Sequence, residues 1–253
     1  MLKSLKINRE KLFNHFFDRA EDRKIKYLVF HHICDQNLEK AIDNLKHHQV
    51  SAHYIINDDG KIFQLVEENN IAYHAGISYW SQEENINKSS IGIEFFSKDP
   101  YKIGFSKEQI NSAIILAQNI VKKYQILPKN IVGHSDIAYD KETGFLNRKD
   151  DPSFLFNWKE FAKNNIGIYP MSQNNTVNDK ILYKFGNKCI KIRQIKEKLY
   201  NFGYRVQNIN DEFDQEFLNL TIIFNRRFNP QKYQENKEFW HQSSSNIISY
   251  FDK

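Results

Sequence analysis

Ala52-His-Tyr-Ile-Ile-Asn-Asp-Asp-Gly-Lys-Ile-Phe-Gln-Leu-Val66 is the stretch on which the fold turns. Two β-prone runs, 52–57 and 61–66, flank Asp58-Asp59-Gly60, and an Asp-Gly turn between such runs predicts an antiparallel hairpin. On its N-terminal side, Tyr27-Leu-Val-Phe-His31 reads as a short buried strand, and Leu38 to His48 carries the 3.6-residue apolar period of a helix. On its C-terminal side, Ser90-Ile-Gly-Ile-Glu-Phe-Phe96 is another strand. Ser106 and Gln109 then have capping-box spacing and open a helix to about Tyr124, with Ile110, Ala113, Ile114, Ala117, Ile120 and Val121 facing inward. Asn130 to His134 is a short strand and Trp158 to Lys163 lies in a short helix. Strands alternating with helices, with a hairpin among them, predict an α/β fold: a mixed β-sheet flanked by helices.

The 253 residues suit one large domain or two unequal ones. With 40% apolar and 26% charged residues, and only 9 Gly and 5 Pro, the chain is neither collagen-like nor of low complexity nor wholly disordered. Its character changes after Pro170. Met171 to Asp179 is polar and aperiodic, which predicts a linker between a first domain over 1–170 and a small three-helix domain over 180–253. Ile192, Ile195 and Leu199 mark the first of those helices, Leu218, Ile222, Phe224 and Phe228 the second, and Ile247, Ile248 and Phe251 the third. The net charge of +5 favours a polyanionic surface without a basic stripe that would demand nucleic acid. Cys34 and Cys189 form neither a CxxC pair nor a disulfide framework, so they define no redox compartment. No apolar run approaches the roughly 18 to 20 residues of a membrane span, and Met1 to Asp22 is charged throughout, unlike a conventional leader.

Candidate metal ligands are best sought where rigid strands end, because a catalytic zinc needs three preorganised donors and one open position. His31 ends the first strand, His134 ends Ile131-Val-Gly-His134, and Asp151 follows in Arg148-Lys-Asp-Asp-Pro152. Two imidazoles and a carboxylate match a hydrolytic zinc site in type. Their spacing forms no local motif, and hydrogen-bonded structural histidines are the alternative. His32 should face the opposite side of its strand from His31. His47 and His48 sit near a helix end, as solvated histidines do, and His53 opens a strand. His74, in Ala-Tyr-His-Ala-Gly76, lies in a loop with Trp80 and can line a cleft. Glu94 interrupts an apolar strand, where a buried carboxylate is costly unless paired or used. It is a candidate general base, the alternative being a wet sheet face. Lys149, two residues before Asp151, is a candidate oxyanion stabiliser or simply a solvated lysine.

The segments Leu28-Val-Phe-His31, Val50-Ser-Ala-His-Tyr54, Phe63-Gln-Leu-Val66, Tyr73-His-Ala-Gly-Ile-Ser78 with Trp80, Asn87 to Glu94, Val132-Gly-His-Ser-Asp-Ile-Ala138, and Arg148-Lys-Asp-Asp-Pro152 before Leu155-Phe-Asn-Trp158 stand in one order. Together they resemble the zinc-dependent N-acetylmuramoyl-L-alanine amidases of the AmpD and AmiD type, which share a fold with peptidoglycan recognition proteins. The resemblance spans about residues 25 to 170. It implies one zinc ion held by His31, His134 and Asp151, Glu94 as general base, Lys149 stabilising the tetrahedral intermediate, and His74 and Trp80 as substrate contacts. It also implies cleavage of the amide joining the lactyl group of N-acetylmuramic acid, or its 1,6-anhydro form, to L-alanine of the stem peptide. The chain departs from the family pattern at Ser153, where Gly is usual after Asp-Pro, and in a longer stretch from Ala138 to Arg148.

The tail, Ile192 to Tyr204 with Phe213-Asp214 and Thr221 to Phe228, is similar to the three-helix peptidoglycan-binding module found behind such amidases. The partner implied is peptidoglycan or a muropeptide, not nucleic acid. A wall-binding tail points to the periplasm or cell envelope, and the missing leader to the cytoplasm as the alternative. A non-catalytic peptidoglycan recognition protein is the competing function. Such proteins lack one or more of the ligands, and the complete set here argues against it.

Overall fold

The computed structural model describes residues 6–20, 22–170 and 179–252. Residues 171–178, most of the expected linker, lie outside the described residues. The chain divides into two compact units, one made of Met1–Gly76, Asn85–His134 and Asp151–Ile168, the other of Ile77–Glu84, Ser135–Asp150 and Tyr169–Lys253.

The first unit is built on a six-stranded sheet of β1 (Ile7–Asn8), β2 (Tyr27–Cys34), β3 (Tyr54–Ile56), β4 (Ile62–Gln64), β5 (Ser90–Ser97) and β6 (Ile131–Gly133). Its order is β1-β4-β3-β5-β2-β6. Every pairing is parallel except β3 with β4, the hairpin, so the sheet is mixed as its sequence predicts. The turn closes through the Asn57 N–H donating to the Lys61 carbonyl at 2.9 Å, and Gly60 takes a φ of 80° that only glycine adopts without cost.

Helix α1 (Leu38–His47) starts where the Asn37 side chain accepts from the Lys40 N–H, and it sends Ala41, Ile42 and Leu45 into a cluster with Ile55, Leu65 and Phe96. Helix α2 (Lys107–Tyr124) starts at the expected cap, with Ser106 Oγ accepting from the Gln109 N–H at 3.0 Å. Its inner face holds the expected residues with one shift: Leu116 is buried, whereas Val121, near the end, is only half-buried. The short helix α3 (His134–Ile137) follows β6. Helix α4 (Trp158–Lys163) packs Phe161 against Phe30 and Phe156, with ring centroids 4.9 and 5.0 Å apart. Each phenylalanine so buried contributes roughly 1.5–3 kcal/mol, which makes the sheet a rigid floor for whatever its strand ends carry.

The second unit contains α5 (Ile190–Phe202), α6 (Gln215–Phe228), α7 (Pro230–Asn236) and α8 (Gln242–Ile248), with a ribbon of β7 (Ile181–Tyr183) and β8 (Trp240–His241). The three expected helices are α5, α6 and α8. Helix α7 escapes a periodicity reading because it buries none of its residues, although Pro230 at its first turn is a start signal. Trp80 packs edge-on against Phe202 and Tyr204 at 5.7 and 4.8 Å. Asp136 accepts from Arg227 Nη1 at 2.5 Å and from the Tyr204 hydroxyl at 2.9 Å, and all three residues are buried. Buried Lys196 donates to Asp214 Oδ2 and Asn210 Oδ1, each at 2.8 Å. Among the described residues no helix is long and apolar enough to cross a membrane.

Candidate metal centre

Strand register brings the first candidates together. In β2 and β5, His31 is paired directly with Glu94, so both side chains project from the same face of the sheet on strands about 4.8 Å apart. In β6, Gly133 is paired with Phe30, which sets His134, just past the end of β6, beside His31, although β2 runs on from His31 to Cys34 rather than ending there as its sequence suggests. Asp151 completes the cluster. One ligand atom from each of His31, His134 and Asp151 lies within 4.8 Å of the other two, and all three residues are buried.

The distances within the cluster suit a cation. His31 Nδ1 and His134 Nδ1 each lie 3.1 Å from Asp151 Oδ2. A tetrahedral zinc with bonds of about 2.0–2.1 Å separates its ligands by roughly 3.3 Å. His134 Nε2 is 3.1 Å from the Ala75 carbonyl, which only accepts, so Nε2 carries a hydrogen and Nδ1 is the ring nitrogen left to face Asp151. Burial opposes ionisation of the Asp151 carboxyl, but His134 and His31 override it and hold that carboxyl well below the usual carboxylate range. A buried anion facing imidazole nitrogens is a donor set that a divalent cation would fill.

Around this set lies a layer of further histidine contacts. His31 Nε2 is 2.9 Å from His74 Nδ1, and His74 Nε2 is 3.0 Å from Ser90 Oγ. The His74 ring presses on the backbone of Gly92, where an added Cβ would stand 2.5 Å from His74 Cγ. Burial, then the neighbouring histidines and Arg23, keep His74 well below the ordinary histidine value, hence neutral. His53 is structural: its Nδ1 accepts from the Gly92 N–H at 3.0 Å and its Nε2 donates to the Asn70 carbonyl at 3.1 Å. His32 faces away from the cluster as expected, accepting from the Ser153 N–H at 3.2 Å and meeting Tyr101 edge-on. Ser153 itself is buried, its hydroxyl donating to the Pro100 carbonyl at 2.5 Å.

The model of the N-acetylmuramoyl-L-alanine amidase family, Amidase_2, matches residues 21–154, more than half of the chain. The chain belongs to that family. AmiD of Escherichia coli (strain K12) is 33% identical over 224 residues, which cover 83% of this chain and 77% of AmiD. The structure of E. coli AmiD with its substrate anhydro-N-acetylmuramic acid-L-Ala-D-γ-Glu-L-Lys superposes with a TM-score of 0.71 at 29% identity, covering 89% of this chain and 88% of that one. AMPDH3 from Pseudomonas aeruginosa, in complex with anhydromuramic pentapeptide, gives a TM-score of 0.68 at 25% identity over 90% and 91% of the two chains. This amidase is therefore an amide hydrolase that cuts the bond between N-acetylmuramic acid and L-alanine.

Two sequence expectations for the amidase change on inspection of its side chains. Trp80 was expected to touch substrate, but it is wholly buried, because the second unit uses it as a core residue beneath Phe202 and Tyr204. His74 was expected in the same role, but both of its ring nitrogens are committed to His31 and Ser90. Lys149 is exposed, and its carbonyl accepts from Arg226 Nη1 at 3.1 Å. Residues missed in the sequence are Ser90, Asn87 and the Ala75 carbonyl, which surround the candidate ligands His31 and His134. The one signal for them was Gly92 inside an apolar strand, which marks a close approach of another group to the backbone.

Proposed function

We propose that the amidase works as a zinc enzyme, with the ion held by His31, His134 and Asp151. The observation that carries this is the pair of 3.1 Å approaches of imidazole Nδ1 atoms to one buried carboxylate oxygen. When bound, zinc supplies Lewis acidity toward the scissile carbonyl and brings the pKa of water to roughly 7. Glu94, registered beside His31, accepts the proton of the attacking water and returns it to the departing L-alanine nitrogen. The Lys149 ammonium donates to the oxygen on which negative charge develops. Water adds to the lactyl carbonyl, the C–N bond breaks, and the products are a muramic carboxylate and a stem peptide with a free amine.

The substrate class is a muropeptide, a reading supported by the anhydro-muramyl peptides bound to AmiD and to AMPDH3. Residues 1–170 form the catalytic part in this reading, and the helices over 180–253 tether the enzyme to peptidoglycan. Support for the tether comes from the resemblance of Ile192 to Tyr204 and Thr221 to Phe228 to a peptidoglycan-binding module, a stretch into which the AmiD match extends, since 83% of the chain cannot fit within its first 170 residues. Co-sedimentation of the full chain with insoluble peptidoglycan tests it. An envelope location goes with this reading, and fractionation of the source cell checks it.

Mass spectrometry of a muramyl tripeptide digest tests the chemistry. The zinc-loaded protein should release the stem peptide, the chelator-stripped protein should not, and zinc should restore release. Equal hydrolysis by stripped and loaded protein would overturn the metal mechanism.

A further inference from the structure

The two histidine ligands are steered by one short piece of chain. His74 and Ala75 follow each other, and each meets a different imidazole: the His74 ring meets His31 Nε2 at 2.9 Å, and the Ala75 carbonyl meets His134 Nε2 at 3.1 Å. Buried Asn87 pins this piece, its Oδ1 accepting from the His74 N–H at 3.1 Å and the Ala75 N–H at 2.8 Å. Gly92 supplies the depth, since a Cβ there would stand 2.5–2.7 Å from three atoms of the His74 ring.

We propose that His74, held by Asn87 and Gly92, is a positioning residue that, together with the Ala75 carbonyl, fixes both ligand histidines with Nδ1 toward the metal. The proposal rests on the zinc reading above and deepens it.

The physical reason lies in the tautomers. An imidazole binds a cation through a nitrogen that carries no hydrogen, and the hydrogen bond made by the other nitrogen selects which one that is. For His134 the choice is forced, because a carbonyl can only accept. For His31 it depends on His74. With a cation on Nδ1, the His31 hydrogen sits on Nε2, His74 Nδ1 accepts it, and His74 Nε2–H passes to Ser90 Oγ. A hydroxyl can accept or donate, so the same three residues also stay bonded when His31 Nδ1 carries a hydrogen toward Asp151. The relay thus keeps every ring nitrogen partnered in both states of the site.

Zinc affinity of the full chain, measured by competition with a chromophoric chelator, tests this without substrate. His74→Phe fills the space but cannot accept a hydrogen bond, and it should weaken zinc binding about 10–100-fold. His74→Asn places an amide oxygen near the position of Nδ1 and should recover most of that loss. In the zinc-loaded wild type, long-range 15N–1H correlation spectra should show His31 as the Nε2–H form, and His74→Phe should lose that single form. Ser90→Ala removes only the far hydroxyl and gives a milder version of both effects, which serves if His74→Phe does not fold. Wild-type affinity and an unchanged His31 tautomer in whichever of these variants folds would overturn the proposal alone. Failure of the wild-type chain to bind zinc would overturn the metal reading and this one with it.

Discussion

In the second unit, Asp136 meets the Arg227 guanidinium and the Tyr204 hydroxyl, and Lys196 meets Asp214 and Asn210, so these buried charges are matched within the protein. In the first, Asp151 Oδ2 meets one ring nitrogen of each of two imidazoles, His31 and His134, both of the type that binds a divalent cation. Matched charges cost little once formed and hold the fold, whereas a buried carboxylate flanked by two imidazole nitrogens is also a donor set that a divalent cation can take over once those nitrogens give up their hydrogens. The contrast separates structural burial of charge from a site, though both involve buried ionisable groups of similar kind.

The sharpest way to break this comparison is to remove Asp151. Asp151→Ala should abolish both zinc retention after dialysis and turnover, yet shift the melting temperature of the metal-free protein by less than about 4 °C. A large loss of metal-free stability would make Asp151 a structural residue like Asp136. Next comes Glu94→Gln, which should lower kcat about 10²–10⁴-fold while zinc content, read by metal analysis, stays unchanged. Loss of zinc in that variant would move Glu94 from proton transfer to metal holding.

The second unit should respond in the opposite sense. Arg227→Met strands the buried Asp136 carboxylate and should cost about 3–5 kcal/mol in denaturant unfolding. Asp136→Leu combined with Arg227→Met should recover part of that loss, because it removes the stranded charge while leaving the buried Tyr204 hydroxyl without its acceptor. A double variant as unstable as the single one would mean that the pair does more than satisfy itself.

How much of this was legible in the sequence follows the range of the interactions. The hairpin over 52–66 and the Ser106 cap depend on neighbours a few residues apart, and both stand where they were read. His31, His134 and Asp151 were found by residue type; register brings the two histidines together, although β2 runs past His31 to Cys34, and Asp151 joins them from a loop. His74 was misread because its partner His31 lies 43 residues away and nothing local distinguishes a ring turned inward from one lining a cleft. Trp80 was misread for the same reason, its neighbours Phe202 and Tyr204 being more than 120 residues distant. The inclusion of Ser135–Asp150 in the second unit depends on contacts such as Asp136 with Arg227, 91 residues apart, and no periodicity encodes those.

His53 brings the comparison inside the first unit and predicts the smallest effect. It lies among the site histidines, its ring centroid 5.7 Å from that of His74, yet it is bonded in the manner of the second unit's matched groups. Its Nδ1 accepts from the Gly92 N–H and its Nε2 donates to the Asn70 carbonyl. Burial first, and then the positive charge of Arg23, lower its pKa to about 3, so the folded protein holds it neutral. A histidine in the unfolded chain titrates near 6.5. Between about pH 3 and 6.5 the unfolded state therefore binds a proton that the folded state refuses, and acid favours unfolding by about 1.4 kcal/mol per pH unit across that window. Above pH 6.5 the contribution is constant. His53→Gln should flatten the acid limb of metal-free stability between pH 4 and 6 relative to wild type. Parallel limbs would show that His53 takes up a proton in the fold, placing it with the site rather than with the scaffold.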